Sequence, residues 1–145
     1  MIQSDELYER DFFGWTTAQA NLLKTGEFEK LDIENLQEEI EALGRSEKRA
    51  LKSYLVNLLM HLLKCRYQPS KRTRSWEISI INSREDFVET LEENPSLKPQ
   101  LYHIIESAYK AARRRAEVET GLYASVFPEI CPFCHVQIFD SSFFG

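Results

Sequence analysis

The chain has 145 residues, 43% of them apolar and 28% charged, with a net charge of −5. That length lets a single core bury about two thirds of the unfolded surface, and the composition excludes a disordered chain or a disulfide-built miniprotein. No apolar run approaches the ~20 residues needed to span a bilayer, and the acidic balance argues against a general nucleic-acid coat. The opening MIQSDELYERDFF has acids where a secretory signal has bases, and the three cysteines are an odd number. The expectation is therefore a cytoplasmic, single helical domain over residues 1–145, with reduced thiols and no membrane partner.

Helical periodicity dominates the chain. From Asp5 to about Lys24 the set Leu7, Tyr8, Phe12, Trp15, Ala18 and Leu22 recurs at steps of three and four, predicting an amphipathic helix that Gly14 divides into a short leading turn and a main part. Thr25-Gly26-Glu27 breaks it, with Gly26 placed as a C-terminal residue. Asp32 is positioned as the N-cap of a second, longest helix, because its short carboxylate can accept from the free amides of the first turn. Ile33, Leu36, Ile40, Leu43, Ala50, Leu51, Tyr54, Leu55, Leu58, Leu62 and Cys65 trace one stripe from residue 33 to about 66. Gly44-Arg45-Ser46 leaves either a continuous helix or a break, since glycine costs ~1 kcal/mol inside a helix. Pro69 ends the segment, as proline cannot continue the hydrogen-bond ladder.

A third helix starts from Thr73 or Ser75 and carries Trp76, Ile80, Ile81, Phe87, Val88 and Leu91, until Asn94-Pro95 closes it. Ser96 is read as the cap of a fourth, with Pro99 in its first turn, Leu97, Leu101, Ile104, Ile105, Ala108, Tyr109 and Ala112 inward, and Gly121 after its end. The remaining tail is aromatic and punctuated by proline, with room for one short helix near Pro132. The predicted fold is all-α: an up-and-down four-helix-type bundle with an aromatic C-terminal tail, carrying that short helix, packed across one end. Phe127, Phe133, Phe139, Phe143 and Phe144 are too much apolar surface to leave in water.

The succession YERDFFGW, LDIENLQEEIEALGRSEKRAL, LLMHLLKCRYQP, SWEISI, NPSLKPQL, AYKAARRRAEVETGL and FPEICP resembles, in order and over nearly the whole chain, an all-helical bacterial family frequent in cyanobacteria, the domain-of-unknown-function family twenty-nine. The resemblance implies an all-α cytoplasmic protein and no particular activity. In that family tryptophan commonly stands where this chain has Cys65, and threonine where it has Cys134.

The residues offer three chemistries. His61 and Cys65, four apart on one helix face, would complete a Cys3His zinc set with Cys131 and Cys134 of CPFCH if the tail folds back on the second helix. Against it stands the reading of these cysteines as small buried hydrophobes, with no cofactor at all. Glu38 or Glu39 with His61 would make a metal-assisted catalytic centre. The Glu-x-x-His spacing of di-iron bundles is absent, because Leu58 and Gln100 precede His61 and His103 by three. Acids beside an apolar stripe otherwise form surface pairs such as Glu41 with Arg45, and His61 by itself would be an interior histidine tied to a neighbour. Lys64, Arg66, Lys71, Arg72 and Arg74, uninterrupted by acids and followed by Trp76, would suit phosphates and bases, with nuclease-like action as one form of that reading. Aromatic or apolar surface left over after packing would mark an interface for an unknown protein partner or a homo-oligomer. The leading reading is that interaction module, leaning away from enzyme, with nucleic-acid or phosphate binding as its alternative.

Overall fold

The computed structural model describes residues 4–145. It contains helices α1 (Ser4–Arg10), α2 (Phe12–Thr25), α3 (Ile33–Tyr67), α4 (Arg74–Glu93), α5 (Leu101–Thr120) and α6 (His135–Phe139), joined by short 3-10 turns. No strand occurs among the described residues, so the chain is all-α. Among those residues no helix is long and apolar enough to cross a membrane. The chain divides into two compact units, the first ending at Ser46 and the second running from Glu47 to Gly145.

In the first unit the break falls at Asp11, earlier than Gly14. The Asp11 carboxylate accepts from the Gly14 amide at 3.0 Å and so caps α2. A Cβ at Gly14 would lie 2.4 Å from the Asp11 Oδ2, so a larger residue there would displace the capping carboxylate. Gly26 ends α2 at φ 78°, where a side chain would be strained. Only Trp15 and Gln19 are buried among the described side chains of this unit. Both hold the start of α3: Trp15 Nε1 donates to Asp32 Oδ2 at 2.9 Å, and the Asp32 amide donates to Gln19 Oε1 at 2.8 Å. Asp32 also caps α3 as expected, accepting from Asn35. The glycine at position 44 does not interrupt α3.

The second unit holds the main core. Leu51, Leu55, Leu58, Leu59, Leu62 and Leu63 of α3 are fully buried, with Ile80 and Phe87 of α4 and Ala108, Ala112 and Ala116 of α5. Thr73, rather than Ser75, caps α4 by accepting from the Trp76 amide at 3.2 Å. The fourth long helix starts later than Ser96. Residues Pro95–Gln100 form a 3-10 turn and α5 begins at Leu101. The two prolines supply no amide hydrogen, and each disfavours α geometry in the residue before it, so the regular ladder starts only beyond Pro99. Gly121, at φ 72°, closes α5.

The tail belongs to this core. Phe127, Phe133 and Ile138 are buried, Phe143 and Phe144 are half-buried, and Phe139 remains 38% exposed against Phe87. Its helix begins at His135 instead of Pro132, with Cys134 as N-cap and the Gln137 Oε1 accepting from the Cys134 amide at 3.0 Å.

Candidate functional site

The basic segment 64–76 is largely consumed by packing. Lys64 is buried with its Nζ 4.4 Å from the Trp76 ring centroid and 3.8 Å from Glu119 Oε1. Arg66 lies over Phe133 at 4.6 Å and Phe143 at 6.0 Å, while Arg72 pairs with Glu77 at 3.0 Å and lies over Phe144 at 5.2 Å. Cations over ring faces contribute roughly 0.5–2 kcal/mol each, depending on how dry the contact is. These side chains therefore attach the aromatic tail to the helices. Lys71 and Arg74 remain exposed.

The zinc candidates are dispersed in role. Cys65 is buried, and burial pushes its thiol above the ordinary range. Cys131 is half-buried, its Sγ 3.5 Å from the Phe133 carbonyl, and burial again raises the thiol. Cys134 is the exposed N-cap of α6, a position that suits the threonine implied there by the family resemblance. Among the described residues, no three His, Cys, Asp or Glu side chains gather to hold a metal ion, so His61, Cys65, Cys131 and Cys134 do not assemble into a tetrahedral set.

Glu38 and Glu39 lie in the first unit and His61 in the second. Glu39 accepts from the Tyr8 hydroxyl, whose pKa is held up at about 12 chiefly by that hydrogen bond. Glu38 pairs with Arg45 at 3.3 Å, displacing the expected Glu41 partner, and Glu41 accepts instead from Gln37 at 3.1 Å. His61 Nδ1 lies 2.8 Å from the Asn57 carbonyl, one turn back on the same helix, so the tautomer that bonds it carries its proton on Nδ1. Burial lowers the imidazole pKa below 6.5, opposed by the Asn57 carbonyl and reinforced by Lys64.

That depressed value has a defined sign. The unfolded histidine binds a proton before the folded one does, so stability is fully present above pH 6.5 and is lost as pH falls through the lower folded value. Denaturant melts of the chain and of His61→Gln should separate: the native protein loses stability on acidification below pH 6.5, and the variant lacks that part of the slope. Superimposable pH profiles would contradict the burial argument.

One buried charge was not singled out in the sequence. Arg84 is 4% exposed; its Nε donates to the Ile138 carbonyl at 2.8 Å and Nη2 to the Phe143 carbonyl at 2.8 Å. Its position four residues after Ile80 and three before Phe87, inside the apolar stripe of α4, was the available signal. Arg113 does the same for the preceding stretch, donating to the Phe127 carbonyl at 3.1 Å and the Ala124 carbonyl at 2.9 Å. A cleft of about 340 Å³ lined by Ile81, Val88, Phe139 and three glutamates adjoins Arg84, but the free Nη1 is sealed from solvent and offers the cleft no donor.

Apolar side chains also stay open to solvent. Ile33, Ile40 and Leu43 on the first part of α3 are 62%, 65% and 69% exposed, and Phe13 and Phe28 of the same unit are also exposed. A shallow groove of about 480 Å³ in the second unit is lined by Met60 of α3 and Ala111, Arg114, Arg115, Val118 and Glu119 of α5.

No curated protein and no solved structure matches the chain. The family model described as "Domain of unknown function DUF29" matches residues 7–144, a span that takes in α2 through α6 and all of the tail contacts above. The chain therefore belongs to the DUF29 family, whose description carries no activity.

Proposed function

We propose that this protein is a helical interaction module that binds a protein partner through the first part of α3. The observation that carries the reading is the exposure of Ile33, Ile40 and Leu43 on a helix that otherwise buries its apolar stripe. With half-buried Leu36 these residues follow 3-4-3 spacing, isoleucine and leucine alternating as they do along the seam of two paired helices. Apolar side chains in that register would lose their surface to water when a second helix covers them. The competing reading, phosphate binding through residues 64–74, has less to stand on, because Lys64, Arg66 and Arg72 already contact rings and carboxylates within the unit.

A photo-reactive benzoylphenylalanine in place of Ile40 tests this. Irradiation of the purified protein and of cells expressing it should give an adduct of discrete mass, lost when Ile33→Lys and Leu43→Lys are added. Failure to form any discrete adduct in either setting would rule the reading out.

A further inference from the structure

We infer that the cleft between α4 and α6 receives a basic amphipathic helix of a partner protein. Every residue of the cleft lies in the second unit, so this surface is independent of the exposed face of α3.

The first observation is the pattern of the lining. At about 100° per residue, Ile81, Glu85, Val88, Glu89 and Glu92 fall within roughly 100° of one another, so a single face of α4 carries them all. Ile81 and Val88 form an apolar floor with Phe139, the last residue of α6, beside them. Ile78, 47% exposed, continues the apolar strip toward the start of α4. Glu85, Glu89 and Glu92 are exposed and form no ion pair among the described residues. The cation of the cleft, Arg84, turns its donors to the Ile138 and Phe143 carbonyls. Three carboxylates against that one guanidinium leave the lining with a net charge of −2.

The second observation is that these acids work against their own helix. Glu85 and Glu89 are four apart and Glu89 and Glu92 three apart, so like charges meet on one surface. Glu92 and Glu93 also stand at the negative end of the helix dipole, in a last turn that holds no basic residue. In contrast, α2 ends on Lys24 and α3 on Lys64 and Arg66. The last turn of α5 has no base either, but Glu119 there faces Lys64. On α4 nothing within the described chain balances the acids, and a cation brought by a ligand would relieve both penalties.

The ligand must then be two-sided, with Lys or Arg over the carboxylates and branched apolar side chains between Val88 and Phe139. An amphipathic helix laid in an apolar groove has that character. From Ile81 to Glu92 the cleft face offers it roughly 16 Å, about three turns, at ~1.5 Å per residue. A linear polyamine would match the charges and leave the floor in water.

The probe is a synthetic peptide of about four helical turns, with leucine on one face and lysine on the other. Titrated into the full chain labelled at its isoleucine and valine methyl groups, it should shift the signals of Ile81 and Val88 and leave buried Ile104 of α5 in place. A peptide of the same composition, scrambled so that neither face is apolar, should bind at least about tenfold more weakly. Glu89→Gln with Glu92→Gln should also weaken binding at least about tenfold, because the complementary charges are gone. The same variant should melt roughly 3 °C higher, since repulsion within α4 is relieved. Weaker binding by a more stable protein separates lost recognition from lost folding. Asp86→Asn with Glu93→Gln removes two exposed charges of α4 that lie outside the cleft, and should keep the affinity within about twofold. The inference is overturned if the native chain does not bind the peptide, if the shifts spread evenly over the methyl groups, if both charge-removing variants lose affinity equally, or if spermidine alone moves the Ile81 and Val88 signals as the peptide does.

Discussion

Replacing Trp15 by alanine is expected to unfold the first unit while leaving the second folded. Trp15 is 2% exposed, its ring packs edge-on to Tyr8 at 4.8 Å and stacks on Phe12 at 5.7 Å, and its Nε1 bonds Asp32. A buried tryptophan truncated to alanine costs about 3–5 kcal/mol. The unit has little else to absorb that loss, since the only other buried side chain described in it is Gln19. The same substitution takes one donor from the Asp32 carboxylate and leaves it those of Asn35. Burial pushes its pKa up, and the Asn35 and Trp15 donors together hold it below the ordinary range. Hydrogen exchange gives the readout: amides of α2 and the first turns of α3 should lose protection, and those of α5 should keep it. Unchanged protection in α2 would mean that Trp15 is not the support of this unit. Trp15→Phe, which keeps ring area but not the indole N–H, should fall between the two.

Arg84→Met should destabilise the second unit by about 3 kcal/mol, roughly a 10 °C fall in melting temperature for a chain of this size. Methionine fills similar volume but leaves the carbonyls of Ile138 and Phe143 buried without their charged donor. Part of that cost is offset because the guanidinium no longer has to be kept out of water, a burden visible in its pKa, which burial lowers and the more distant Asp140 partly restores. The loss should be local first. The tail beyond Phe133 should become accessible to chymotrypsin at Phe139, Phe143 and Phe144, while α3 and α5 hold. Arg84→Lys keeps one charged donor where two bonds are needed, so its effect should lie between those of native arginine and methionine. If Arg84→Met resists the protease as the native chain does, the tail is held by its aromatic contacts alone.

These two residues mark where sequence reading was strong and where it was not. Trp15 was placed on the inner face of its helix by spacing alone, and so were Leu58, Phe87 and Tyr109, because an apolar side chain repeated every three or four residues has one energetically acceptable side. The caps at Gly26, Asp32 and Gly121 were equally legible, since glycine and aspartate satisfy local backbone needs that no distant residue alters. Arg84 was passed over, because an arginine inside an apolar stripe is ordinarily a side chain reaching for water. Its role depends on carbonyls 54 and 59 residues further along the chain. The reverse happened with Lys64, Arg66 and Arg72, which looked like a free basic patch and instead lie on the rings of Trp76, Phe133 and Phe144. The break at Asp11 and the late start of α5 were smaller differences of the same kind, turned by one side-chain cap and by two prolines.

The sequence by itself determined the all-α class, the long helices, most of their ends and the family, because each of these follows from patterns within a turn or two of helix or from the order of motifs along the chain. The tertiary structure alone decided what the polar and leftover groups do. It took CPFCH out of a zinc set and made it a helix cap and tail packing, joined the basic segment to the aromatic tail, and left Ile33, Ile40 and Leu43 uncovered. Local periodicity says that a residue has an apolar neighbour to find; only the packing of distant segments says whether that neighbour lies in the same chain.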